Sequence, residues 1–259
     1  MSEFVTAKLE IDETAATIGA EREYVDAAVS AIKAARAEIV KQIRRDRFFL
    51  TTLEPYDPPQ DSGRIVHRMC DAARKVGVGP MATVAGVIAQ EALEAMLSSG
   101  CSHGWVDNGG DISMVLAGPV TVEVFHEPGA KTAFALEFDA TEGVLGVCTS
   151  SGTLGHSISF GNADVAVAVA DDATLADALA TAICNRVADQ DSLSTCFDSF
   201  KGMPGFVGGL AMIEGKVAMH GKLPRLVEAE HSQERLTAHS SMSSSKYTGS
   251  SQRSQEVRT

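Results

Sequence analysis

A chain of 259 residues with 44% hydrophobic content can bury a substantial core as one large domain or two closely packed halves. Its formal charge of −12 argues against nucleic acid as a partner, since phosphate binding needs a concentrated basic patch; the one dense basic cluster, Lys41, Arg44, Arg45 and Arg47, reads as a solvated helix end. Five cysteines without a CxxC pair indicate neither a disulfide framework nor a zinc knuckle, and no apolar run approaches the roughly 20 residues of a membrane span, so the expectation is a cytoplasmic protein with reduced thiols and no membrane partner.

Residues 4–11 alternate Val5, Ala7, Leu9 and Ile11 with Thr6, Lys8 and Glu10, the period of a half-buried strand, and residues 14–18 are placed to pair with it. From Arg22 to Asp46 no Gly or Pro interrupts, and Val25, Val29, Ile32, Ile39 and Ile43 fall at helical spacings. This predicts one long amphipathic helix. Pro55, Pro58 and Pro59 then forbid helix over residues 53–63, an extended loop suited to wall or cover a site. A short helix is expected over 65–75, where His67 lacks a second ligand at a suitable spacing and reads as a surface or partly packed histidine.

Gly77-Val78-Gly79-Pro80 opens the next helix, with Pro80 in its first turn, and Ala82, Ala85, Gly86 and Ala89 give that helix a face of small residues. Two readings compete there. Gly79 and the free amides receive a phosphate, or the small residues allow tight packing. Gly100 stops the helix, and a strand over 104–107 enters Asn108-Gly109-Gly110-Asp111, a tight-turn signature because glycine tolerates positive φ. Strands over 113–116, 120–125, 132–138 and 144–149 read as an antiparallel meander.

Thr149, Ser150, Ser151 and Gly152 supply hydroxyls and amides suited to an anionic group, although serine-rich turns are commonly just turns. His156 beside them is the best catalytic candidate by residue type, since imidazole exchanges a proton near neutral pH; the alternative is a histidine tied to a turn carbonyl. After an alternating strand over 163–170, a helix begins near Thr174. Asp177 and Thr181 lie four residues apart, on one helical face, and can reach one hard cation. Thr174 with Asp177 is also a near match to a capping box, the competing use of the same residues. Cys148 and Cys184 read as small core residues.

Residues 189–202 look irregular, and 206–213 with 216–219 form a closing hairpin about Glu214-Gly215. A long helix followed by a hairpin thus occurs twice, after Gly79 and after Thr174, which points to two related halves sharing a sheet. Beyond about Glu230 the chain is rich in Ser, Gln and Thr, with too little apolar surface to offset ordering entropy. Residues 1–229 are therefore read as a single domain of two packed halves and 230–259 as a flexible tail.

Four ordered motifs, VGPMA around Gly79 to Ala82, Asn108-Gly109-Gly110-Asp111, Gly155-His156-Ser157 and Leu175 to Thr181, resemble the ApbE superfamily, whose best-known members are magnesium-dependent FAD:protein FMN transferases. The closer match is to a smaller branch of that superfamily. The resemblance implies an α+β fold with two related halves of antiparallel sheet and long packing helices. It implies magnesium held by the Ala82 carbonyl with Asp177 and Thr181. It further implies a flavin nucleotide or other phosphorylated small molecule lined by the Asn108–Asp111 turn, and transferase chemistry assisted by His156. The branch is associated with sulfur assimilation through homocysteine formation, which implies a sulfur-metabolism protein as partner. Three residues depart from the transferase pattern: Thr83 replaces a lysine, and Ser159 and Phe160 replace an aspartate-proline pair after the histidine. These departures carry the alternative expectation, a non-catalytic assembly or chaperone protein on the same scaffold.

Overall fold

The segment Val165–Ala170, VAVAVA, is buried along its whole length, so both of its faces are covered. Its alternation divides the molecule into layers: Val165, Val167 and Val169 belong to one core, Ala166, Ala168 and Ala170 to another. The computed structural model describes residues 3–125, 132–152, 161–230 and 236–237.

In chain order, β1 (Phe4–Ile11) and β2 (Thr14–Glu21) are followed by α1 (Arg22–Arg45), the short α2 (Phe48–Thr51) and α3 (Arg64–Val76). After a 3-10 turn at Pro80–Thr83 comes α4 (Val84–Ser98). Next are β3 (Gly104–Asn108), β4 (Asp111–Val115), β5 (Val120–Phe125), β6 (Thr132–Phe138), β7 (Leu145–Ser150) and β8 (Val165–Ala170). Then come α5 (Ala173–Arg186), β9 (Phe206–Ile213), β10 (Lys216–Gly221), β11 (Arg225–Glu230) and β12 (Leu236–Thr237).

Eight strands form one antiparallel sheet in the order β1-β2-β3-β4-β7-β8-β9-β10. Its two halves correspond: the β1–β2 hairpin joins β3–β4 by way of α4, and β7–β8 joins β9–β10 by way of α5. They meet at the β4·β7 pair. This is the α+β architecture of two related halves expected from the repeated helix-then-hairpin pattern.

The meander is corrected. β4 pairs with β7, and β5 and β6 leave to form a second sheet, ordered β11-β6-β5-β12. The reason is burial. Ile112, Met114, Val147, the three valines of β8, Leu210 and Met212 line an apolar face that Val122, Val124, Leu136 and Phe138 cover.

The opposite face carries the helices. α1 buries Ala28, Ile32, Ala35, Ile39 and Gln42, a stripe at alternating spacings of four and three, against α4. α4 and α5 lie on the sheet and on each other, and their close approach depends on Gly86, where a Cβ would fall 2.3 Å from the Ala173 carbonyl oxygen. Among the described residues no single helix is long and apolar enough to cross a membrane. Of the segment expected to be a flexible tail, Glu230 ends β11 and Leu236–Thr237 runs parallel to β5; the rest lies outside the described residues.

Candidate functional site

The start of α5 overturns the capping-box reading. Asp172 is the N-cap, and its Oδ1 accepts from the amides of Thr174 (2.7 Å) and Leu175 (3.2 Å). Asp177 is thereby released from its own helix. Its Oδ2 accepts from the Gly86 amide at 2.9 Å, so it supplies negative charge to the N-terminal end of α4. Of the two readings of this helix start, phosphate cradle or tight packing, the first now has a carboxylate of the protein itself on one of its amides. Thr174, Asp177 and Thr181 follow each other at three and four residues and occupy one buried stripe of α5.

The β3–β4 hairpin brings a second group of side chains to the same layer. Asn108 pairs with Asp111, and Gly109 and Gly110 take φ of 69° and 104°, the positive values that a two-residue hairpin turn requires. Asp107 Oδ1 accepts from the Gly110 amide at 2.8 Å and locks this turn. Asn108 Nδ2 donates to the Ala85 carbonyl at 3.1 Å, tying the turn to the first turn of α4.

Asp111 is 9% exposed and Asp177 8% exposed, and among the described residues no basic side chain forms an ion pair with either. Burial raises the Asp177 carboxyl to about 7, against the lowering effect of the Gly86 and Ala85 amides. Burial and then the charge of Asp177 push Asp111 well above the usual carboxylate range, with Cys148 opposing. Among the described residues Asp111 Oδ1 has no hydrogen-bond partner, nor have Ser150 Oγ and Thr174 Oγ1. Cys148, whose thiol lies 3.4 Å from the Ala173 carbonyl, is raised by burial and then by Asp111. A thiol that resists ionisation is a poor nucleophile, in line with the core reading given to it.

The other anticipated residues divide. Thr149, Ser150 and Ser151 lie buried at the end of β7, and Ala82 packs against the α5 core. At Gly79 a Cβ would stand 2.1 Å from the Thr52 carbonyl oxygen, so this glycine permits backbone packing against Thr52 and Leu53. Gly152 likewise abuts Gly161, with its amide donating to the Ala163 carbonyl at 2.9 Å. His156, Ser159 and Phe160 lie outside the described residues.

A family model described as AbpE bacteria matches residues 2–196. The chain belongs to this family. Among its relatives, a UPF0280 protein of Methanocella arvoryzae is 45% identical over 90% of this chain and 95% of its own length. A UPF0280 protein of Archaeoglobus fulgidus is 41% identical over 89% and 97%. Two solved structures share the fold of this AbpE-family chain. The flavin transferase ApbE of Vibrio cholerae superposes with a TM-score of 0.56 at 11% identity, covering 85% of this chain and 97% of that one. The ApbE protein of Thermotoga maritima gives 0.58 at 14% identity, with the same coverage.

Polar groups that the sequence reading passed over hold this AbpE-family site in place. Gln90, buried in mid-helix, accepts through Oε1 from Ser113 Oγ and from the Ala173 amide, both at 2.9 Å, and so links α4, β4 and α5. Arg68 on α3 donates to Glu91 (2.9 Å), Glu94 (2.7 Å) and the N-cap Asp172 (2.6 Å), and Arg64 joins at Glu91. Burial works against the charge of Arg68, but Glu94 and Asp172 hold its pKa above the ordinary arginine value. Burial also opposes ionisation of Asp172, and Arg68 outweighs it, so that carboxyl is lowered. The one outward sign in the sequence is that polar Gln90, Glu91 and Glu94 interrupt an otherwise apolar helix, which does not say what they bond.

Proposed function

We propose that this AbpE-family protein binds a flavin nucleotide, or another phosphorylated small molecule, together with magnesium at the Asp177 stripe of α5. The observation that supports it is two buried carboxyls, Asp111 and Asp177, near enough for the charge of one to act on the other, with no ion pair to a basic side chain among the described residues. Such burial is costly unless a positive group arrives. The donors fit a hard cation: the Asp177 carboxylate, the Thr181 hydroxyl on the same stripe, and the carbonyl of Ala82 on the adjoining turn. Among the described residues no three His, Cys, Asp or Glu side chains form a metal cluster. Magnesium suits that arrangement, since it keeps several waters and shares its shell with substrate phosphates. Bound there, it would neutralise phosphate oxygens of the ligand.

The remaining roles belong to the chain. The Asn108–Asp111 turn is fixed to α4 through Asn108 and so offers a rigid wall, while Ser150, at the end of β7, has a hydroxyl without a partner among the described residues. Thr149, Ser151 and Gly152 continue that wall, and His156 is the proposed acid or base of a transferase step. A role in sulfur assimilation, with a sulfur-metabolism protein as partner, rests on the sequence resemblance alone. A non-catalytic scaffold is the second reading, and one observation favours it: Thr83, standing where the transferases carry lysine, is fully buried and donates to the Pro80 carbonyl at 2.7 Å. Binding without turnover is the result that selects it.

Calorimetric titration with FAD, FMN and ADP tests the leading reading. Binding is expected only with magnesium, and Asp177→Ala is expected to abolish it in a folded protein. Unchanged affinity in that variant removes the basis for the site.

A further inference from the structure

Side chains from β4, α4 and α5 meet in successive rungs. One rung is closed: Ser113 of β4 donates to Gln90 of α4, whose same oxygen accepts the Ala173 amide of α5. The next rung lies one turn along each helix, four residues before Gln90 at Gly86 and four residues after Ala173 at Asp177, and these two are bonded at 2.9 Å. On the strand the corresponding step is two residues back from Ser113, which keeps the same face and arrives at Asp111. Two strand residues advance about 6.6 Å and one helical turn about 5.4 Å, so the rungs stay nearly in step. The neighbours of Asp111 in β4 confirm the facing, since Ile112 and Met114 both point into the core on the other side of the sheet.

This second rung is open. The Asp111 carboxyl is more than nine-tenths covered and bonds Cys148 and the Thr149 amide, but among the described residues its Oδ1 has no hydrogen-bond partner, and Asp177 is close enough to act on its charge. A buried acceptor left in this state is expensive, and the charge of a second carboxylate acting on it makes it more so.

We infer that Asp111 is the second carboxylate of the cation site, closing with Asp177 a rung that the divalent ion completes between β4 and α5. The inference rests on the proposed magnesium site and moves Asp111 from the nucleotide wall to the metal. It also gives the Asn108–Asp111 turn a purpose. The turn fixes the strand end from which Asp111 projects, so the ion joins the first half of the sheet to the helix of the second.

Binding of Mn2+ alone to the flavin-free protein, followed by electron paramagnetic resonance, tests this without reference to any activity. Asp111→Asn and Asp177→Asn are each expected to weaken Mn2+ by at least roughly 100-fold, since losing a ligand costs no less than the upper end of what losing an outer-shell partner costs. Asp111→Cys is the second variant, because a thiolate exchanges hard for soft preference. It is expected to raise the ratio of Cd2+ to Mn2+ affinity at least about 10-fold over wild type, a change that a merely structural role for Asp111 does not produce. Wild-type Mn2+ affinity in Asp111→Asn, with binding lost in Asp177→Asn, overturns the role of Asp111 and leaves the Asp177 site standing. An unchanged Cd2+ to Mn2+ ratio in Asp111→Cys overturns it too. Failure of wild type to bind Mn2+ overturns both readings together.

Discussion

Metal-free Asp177→Asn protein is expected to be more stable than wild type at pH 8 and to lose that advantage at pH 4. The folded-state carboxyl is raised from 3.8 to about 7 by burial. Between those values the folded protein holds a proton that the unfolded chain has released. Its contribution to stability is therefore fully present below about pH 4 and is lost as pH rises through 7. A displacement of roughly three pKa units corresponds to about 4 kcal/mol, shared with Asp111 to the extent that the two carboxyls trade the proton. Asparagine carries no charge at either pH and keeps an oxygen for the Gly86 amide. Urea unfolding of both proteins across this range checks the difference. Saturating magnesium is expected to reverse the order at pH 8, because the ion favours the ionised carboxylate that the metal-free fold disfavours. Parallel stability curves for the two proteins would mean that Asp177 ionises normally.

Arg68→Met is expected to cost about 3 kcal/mol of stability, near the lower end for breaking a buried ion pair. The Arg68 side chain is 21% exposed and Glu91 only 8%, so removal of the guanidinium leaves Glu91 with Arg64 alone and strands Glu94 and Asp172 beside it as mutually repelling carboxylates. Methionine preserves much of the apolar stem. Hydrogen bonding to Arg68 holds Glu94 and Asp172 low against the opposing effect of burial. Their contribution is present above the ordinary carboxylate range and disappears as pH falls through the lowered values. The destabilisation should accordingly shrink on acidification, the opposite trend to that of Asp177. A loss below about 1 kcal/mol at neutral pH would mark the network as solvated surface pairing.

Much of the secondary structure was legible because periodicity reports burial directly. The alternation of β1, the uninterrupted stripe of α1 and the glycine pair before Asp111 each have one local solution, and the chain adopts it. The departure of β5 and β6 to a second sheet was not legible. Their alternation shows that one face is buried but not against which partner, and the decision is made by the valine face of β8 more than 25 residues away. The site divides in the same way. Asp177 and Thr181 were visible as an i, i+4 pair, but the competing capping use of Asp177 could not be decided locally. Asp172 already satisfies the helix start, and the partner of Asp177 is an amide 91 residues distant. Gln90 carried no motif at all, since its meaning lies in two contacts that only the packed helices create.

Anomalous diffraction from crystals of the protein grown with Mn2+ and ADP tests the central claim most directly. The account predicts one strong peak at oxygen-ligand distance from the Asp177 carboxylate, close to the about 2.0–2.1 Å of a magnesium site, with phosphate oxygens in the same shell. A nucleotide seated elsewhere, or an Asp177 carboxylate still bonded only to the amides of α4, would contradict it.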